Sequence, residues 1–405
     1  MLIRSRARDF RMLKPYKGYT LLLLLSMTLL GVFPLDVILP SFPALSAHFN
    51  TPSATIALSI SLFAIGFSLS QFFLGPLSDR LGRKRLLIMG MVVAIIGALG
   101  CVLSTEFSTF ILWRILQAAG CGCFVLSNAL VQDLFSRDER ERVRILMTTA
   151  SGLFISTSPL MGTALQHAFG WTGSFCLFAV IAGLVLLHAT WVLPVTVAPA
   201  SSLRFWQSCV LVISNARFMG FSLIAAFAFT CHFSFIAISP VIFLDGFGLS
   251  AFEFSLILLA YGAAYVMGGL VASRLQKVLG HPHQLKTGLV LIGLAGVILI
   301  ALHVTTERSF LTFLLPMMVC TIGTTIARPA ATSQAMDFFP NNAGAASSVL
   351  NTLVFVTGGV FSGLASLAVM NVEYVLSVGF MVVSGLGWIL VRAVYAPESC
   401  TQASL

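Results

Sequence analysis

The chain has 405 residues, of which 58% are hydrophobic and only 9% charged, with a net charge of +9 and a mean hydropathy of +0.98. Soluble domains carry roughly 25% charged and about 45–50% apolar residues, so this chain has too little polar surface to cover itself in water. A soluble enzyme, a nucleic-acid binder and a disordered chain are excluded, and lipid becomes the solvent for most of the protein.

A helix needs about 20 apolar residues to cross a bilayer. In chain order, a basic tail at 1–18 is followed by apolar runs at 19–39, 54–77, 86–104, 108–131, 144–166 and 172–193. After a break at 194–217 come 218–243, 252–273, 287–304, 309–336, 343–368 and 374–395, and a short tail at 396–405. The expectation is an all-α membrane protein of twelve transmembrane helices, with one six-helix half at 19–193 and a second at 218–395. Of the 23 Lys and Arg, 20 fall in the N-terminal tail, every second loop and the C-terminal end, and the alternate loops hold only Arg308. Because basic loops stay in the cytoplasm, both termini and the 194–217 linker are expected there. A cleaved signal peptide ending near Ala44 is the rival reading. The apolar run at 19–33 is long for a signal core, and cleavage would leave eleven spans and strand the basic C-terminal end outside.

Asp36 lies within the first span. An ionisable group at membrane depth costs roughly 2.5–3.5 kcal/mol on insertion scales and points to function by default, here a proton carrier. The alternative is a structural acid beside Pro34 or Pro40. The loop after span two reads Gly75-Pro-Leu-Ser-Asp-Arg-Leu-Gly-Arg-Lys-Arg85. Anchoring in the cytoplasm needs only its basic residues, not the ordered set Gly75, Asp79, Arg80, Gly82, Arg83 and Lys84. Gly75, Arg80 and Leu81 are echoed 194 positions later by Gly269, Arg274 and Leu275, a partial repeat of the kind that builds two halves around a cavity.

Arg114 enters span four about two turns in and is either a functional charge or one that snorkels to the interface; Gln117 shares its helix face and either binds substrate or bonds between helices. Ser158, Pro159 and Gly162 mark span five. Span seven carries Phe227, Phe229, His232, Phe233 and Phe235, and span eight carries Tyr261 and Tyr265 four apart. These are either packing residues or an aromatic wall for planar substrates, with His232 as an auxiliary proton or hydrogen-bond group. Arg328 precedes Pro329 in span ten. It either lines a cavity or serves the carbonyl that the proline frees one turn back, or reaches the interface through Asp337. Most of the eight cysteines sit in apolar runs and read as packing residues, and Cys121 and Cys123 have no metal-ligand partners at usable spacing. No G-x-x-x-x-G-K-[ST] motif occurs, so no cofactor is expected and energy must come from an ion gradient or the substrate's own gradient.

The 75–85 segment resembles the G-x-L-x-D-R-x-G-R-[RK] loop of the major facilitator superfamily. The segment Leu112-Trp-Arg-Ile-Leu-Gln117 resembles the R-x-x-Q-G signature of drug/proton antiporters, with Ala118 for the usual glycine. Ser158-Pro-Leu-Met-Gly162 is similar to their G-P-x-x-G signature, with Ser158 for the first glycine. Asp36-Val-Ile-Leu-Pro40 resembles the D-x-x-L-P signature of the bicyclomycin and chloramphenicol efflux branch. The resemblance covers the first half well and the second mainly by hydropathy and the 329–340 segment. It implies a major facilitator fold, proton coupling through Asp36 and Arg114, and a conformational latch at the Asp79 loop.

Counting Arg114 and Arg328 against Asp36 gives a cavity of net +1, suited to neutral or anionic compounds. The expected function is therefore proton-coupled export of small organic molecules or drugs across the bacterial inner membrane. Its partners are the bilayer, protons and a small-molecule substrate, and the twelve helices suffice as a monomer. A dedicated exporter of one metabolite, such as a carboxylate siderophore, is the alternative. A nutrient importer is disfavoured by the span-five signature, and an enzyme by the lack of a clustered nucleophile and base.

Overall fold

The computed structural model describes residues 14–193, 203–339, 342–368 and 371–395, and every regular element among them is helical. Helix α1 (Lys14–Asp36) passes through a 3-10 turn (Leu39–Ser41) into α2 (Phe42–Phe49). Then come α3 (Ser53–Leu81), α4 (Arg83–Val102), α5 (Phe107–Cys121), α6 (Leu126–Leu134), α7 (Arg137–Phe169) and α8 (Thr172–Val192). The remainder comprises α9 (Leu203–Ile213), α10 (Ala216–Pro240), α11 (Ala251–Thr305), α12 (Phe310–Asp337), α13 (Ala343–Leu367) and α14 (Val372–Tyr395).

Eleven described segments are long and apolar enough to cross a membrane, and they coincide with the expected spans except the fifth. That span lies in α7, whose 33 residues reach on the order of 50 Å at about 1.5 Å per residue. The helix has the length, and its residues 145–162 carry no charge. The N-terminal tail to residue 13, linker residues 194–202 and the tail from 396 lie outside the described residues.

The runs expected at 252–273 and 287–304 lie in α11, which is two helices meeting at a kink at Gly280 (φ 73°, ψ 173°). Gly82, between α3 and α4, has a similar backbone (φ 87°, ψ 138°). Both conformations lie where a Cβ is poorly tolerated. The two glycines sit near, though not at, the 194-residue offset of the sequence echo, so the repeat returns as a repeated hinge.

Large apolar side chains point outward in stripes. On α8, Val180, Leu184, Leu187 and Trp191 are 60–67% exposed, a pattern that costs free energy in water and none against lipid. Inside, helices approach closely where glycines face each other. A Cβ on Gly120 of α5 would fall 2.6 Å from the Gly90 carbonyl oxygen of α4, and one on Gly323 of α12 would fall 2.7 Å from that of Gly288 on α11. The same small-residue device seats a helix pair in each part of the chain.

Two seams join α1–α8 to α10–α14. Across the first, Ser61 of α3 shares a hydrogen bond with Ser362 of α13 (2.8 Å). Across the second, Thr163 of α7 shares one with Ser255 of α11 (2.6 Å), and Ser255 also donates to the Pro159 carbonyl (3.0 Å). At the N-terminal ends of α1 and α7, Lys17 pairs with Glu139 (2.7 Å), which also closes a capping box with Ser136. The bonds from Lys17 and Ser136 hold the Glu139 carboxyl below the usual range.

Substituting Gly120→Ala is expected to lower the melting temperature of the purified protein in detergent by several degrees, because the methyl meets backbone. Gly269→Ala has nothing within 4 Å and gains helix propensity of roughly 1 kcal/mol, so its melting temperature should hold or rise. Equal shifts from the two would discount the close-approach argument.

Candidate functional site

The site is built around the end of α1. A helix leaves its last carbonyls without intrahelical donors, and burial makes each orphan costly. Here the Phe33 carbonyl takes the Val37 N–H (3.2 Å), and the Pro34 carbonyl takes Nη2 of Arg114 from α5 (3.0 Å). Nη1 of Arg114 donates to Gln117 Oε1 (2.8 Å). The guanidinium carbon lies 4.4 Å from the centroid of the Phe63 ring of α3 and 5.6 Å from that of Phe175 of α8. Arg114 is 0% exposed, so it is a fully enclosed cation at the negative end of the α1 dipole. The snorkelling alternative is therefore corrected. So is a direct link to Asp36: among the described residues no ion pair joins them, and Arg114 holds the backbone two residues before the acid.

Asp36 is the last residue of α1, 9% exposed, and its Oδ2 is buried without a hydrogen-bond partner. It borders a central cavity of about 540 Å³ lined by α1, α3, α6 and the turn before it, α7, α10, α12 and α13, inside the range of about 300–1,000 Å³ for small-molecule sites. The residues that give this cavity its chemistry are Asp36, His232, Arg328, Phe229, Phe233 and Phe355. Arg114 and Gln117 do not line it. With Arg114 removed from the count, ionised Asp36 balances Arg328. The expected net of +1 is corrected to zero, or +1 with Asp36 protonated and His232 neutral.

Arg328 lies over the Phe229 ring, 4.6 Å from its centroid. It makes no hydrogen bond or ion pair among the described residues, so neither Asp337 nor the carbonyl freed by Pro329 holds it. Nδ1 of His232 and the Tyr261 hydroxyl share a hydrogen bond (2.7 Å), and their rings stack at 5.5 Å, with Tyr265 at 5.6 Å from His232. This stack borders a smaller chamber between α1, α7, α10 and α11. Asp36, Ile155, His232 and Ile236 line both chambers. Phe235 instead packs in the core against Tyr261, Phe243 and Phe313.

The span-five signature serves the fold. Ser158 is buried and donates to the Ile155 carbonyl (3.1 Å), the Pro159 carbonyl receives Ser255, and Gly162 packs against the Val37 carbonyl just past Asp36. At the start of α4, Arg83 forms an ion pair with Asp133 at the end of α6. Lys84 donates to the carbonyls of Thr190 and Leu193, both at 2.6 Å, at the end of α8. These contacts staple helices that precede the linker. Gly75, Asp79 and Arg80 belong to α3, and their side chains lie outside the described residues. Sequence reasoning missed Gln71, Asn351 and Phe355 as lining residues; a polar amide within an apolar run was the available signal for the first two.

A lipid-facing helical bundle whose charged side chains turn to a buried cavity is the architecture of a membrane carrier. The chain belongs to the Major Facilitator Superfamily, which it matches over residues 24–363. It is thus a multi-pass membrane transporter, not an enzyme, and its setting is a bilayer with a small-molecule substrate. It is 28% identical to a chloramphenicol resistance protein of Pseudomonas aeruginosa over 85% of this chain and 82% of that one. It is 30% identical to the multidrug transporter MdfA of Yersinia pestis over 62% of this chain and 63% of that one, so that match spans less than two thirds of the relative. Among solved structures, a bacterial homologue of the human lysosomal transporter Spinster, in an inward-facing and unoccupied conformation, superposes with a TM-score of 0.73. The match covers 94% of this chain and 98% of that one at 15% identity. The peptide transporter POT in complex with sulfate gives 0.72 at 13% identity over 93% of each chain.

Arg114→Met keeps the bulk but strands the Pro34 carbonyl and Gln117 Oε1. Hydrogen bonds to charged groups contribute about 1.5–3 kcal/mol each, so the unfolding free energy in detergent is expected to drop by at least that much. Gln117→Met should cost less, since it leaves the α1 cap in place. Equal losses would show that the cap is not the dominant bond.

Proposed function

We propose that this transporter exports small organic molecules, neutral or anionic, across the bacterial inner membrane in exchange for protons. The observation that carries the reading is Asp36: a carboxylate on the wall of the central cavity, with one oxygen unpartnered, at the open end of a helix held by a buried arginine. Such a group is placed to load and release a proton. Its protonation removes a negative charge at the negative end of α1, where Arg114 sits, and so alters the balance that positions that end. Val37, next in the chain, packs on Gly162 of α7, and α7 forms the seam with α11 through Thr163 and Ser255. A proton event at Asp36 thus reaches a contact that alternating access must open and close.

Both termini are assigned to the cytoplasm on the distribution of Lys and Arg. The N-terminal and C-terminal helices act as two six-helix halves around the cavity, and the Asp79 loop is the latch in the outward-facing state. The protein acts as a monomer, without a cofactor, and each charge moved through 100 mV supplies about 2.3 kcal/mol. The names of the relatives from Pseudomonas aeruginosa and Yersinia pestis support drug-like substrates. A dedicated exporter of one carboxylate-bearing metabolite is the second reading, favoured by the unpaired Arg328.

Inside-out vesicles with a preformed proton gradient test this. Chloramphenicol, a quaternary ammonium dye or a citrate-type siderophore is added while a pH-sensitive fluorophore is followed. At least one neutral or anionic compound is expected to dissipate the gradient with wild type, and Asp36→Asn is expected to reduce that response at least about tenfold. Equal responses from the two proteins would remove Asp36 as the proton carrier.

A further inference from the structure

We propose that Arg328 and Phe229 form the head-group subsite for a ligand class narrower than small organic molecules: aromatic carboxylates. This rests on the export reading above. Among the described residues, Arg114 and Arg328 lie inside the bundle, and they are treated oppositely. Arg114 is spent on Pro34 and Gln117 and sealed away from the cavity. Arg328 borders the cavity with no acid, carbonyl or amide on its guanidinium among the described residues. An arginine stays charged, and a cation removed from bulk water without a counter-ion is costly; an arriving anion relieves that cost.

The geometry selects the kind of anion. The Arg328 guanidinium carbon lies over the Phe229 ring, 4.6 Å from its centroid, and the donors of the fork have no acceptor among the described residues; a planar, two-oxygen carboxylate matches such a fork bidentately. The wall beside it is aromatic. Phe229 packs on Phe233 (5.4 Å) and on Phe355 (5.1 Å), and Phe355 meets Phe67 (5.7 Å). Three helices, α3, α10 and α13, thus present ring surface next to one fixed cation. A fused aromatic ring carrying a carboxylate satisfies both features.

Asp36 shares the cavity, so an ionised Asp36 repels such an anion and a protonated one does not.

The test uses the purified full-length protein and two nearly isosteric probes, 2-naphthoate and 2-naphthamide, titrated calorimetrically. Because charge-assisted bidentate bonds are roughly twice as strong as neutral ones, wild type is expected to bind the naphthoate at least about tenfold more tightly than the amide. Arg328→Gln should bring the two within about threefold, Arg328→Lys should retain part of the preference, and Asp36→Asn should hold or strengthen naphthoate binding. Equal affinities in wild type, which needs no variant to fold, overturn the subsite, as does a preference that survives in Arg328→Gln. Naphthoate preference together with silent vesicles supports the subsite and overturns export. Proton-coupled movement of a neutral compound without naphthoate preference overturns the subsite and leaves export standing.

Discussion

The bond from Arg114 to the Pro34 carbonyl is the interaction on which the rest of the site depends. A helix that ends inside a bundle exposes carbonyls that neither water nor lipid can satisfy. Here a side chain from α5 supplies the donor, and its positive charge suits the negative end of α1. The arginine is in turn held by Gln117 and backed by Phe63. Gln117 lies where α4 comes close: a Cβ at Gly97 would fall 2.6 Å from its Cα. Helices α1, α3, α4 and α5 are therefore mutually dependent at one point, and Asp36 stands two residues beyond it.

The constraint on buried charge explains how the two arginines differ. Where a cation is fully enclosed, as at Arg114, the fold gives both terminal nitrogens an acceptor and faces the guanidinium with rings, leaving only Nε unpartnered. Where it borders a cavity, it can be left with only a ring, as at Arg328, because the cavity admits water or a ligand. The same contrast separates the aromatics of α10: Phe235 fills the core, while Phe229 and Phe233, at other positions around the helix, face the cavity.

Much of the fold was legible because lipid imposes a coarse rule. Charge scarcity identifies the solvent, span length marks the helices, and Gly82 stands in the motif between two of them, whereas the turn at Gly280 emerged only in the structure. Asp36 was legible as an outlier in an apolar run, and Arg114 for the same reason. Gln71 and Asn351 carried that signal too and were passed over, while Phe355 had none among 34 phenylalanines.

The sequence by itself determined the number and limits of the apolar runs, the asymmetry of basic residues and the presence of a few intramembrane charges, because each is a property of local composition. Only the tertiary structure decided that Arg114 binds backbone instead of Asp36, that Gln117 serves Arg114 away from the cavity, and that Arg328 and Phe229 meet across two helices. Those outcomes depend on the rotation of each helix about its own axis. Hydrophobic runs that are apolar on every side carry almost no record of that angle; the packing of glycines and rings between neighbours sets it.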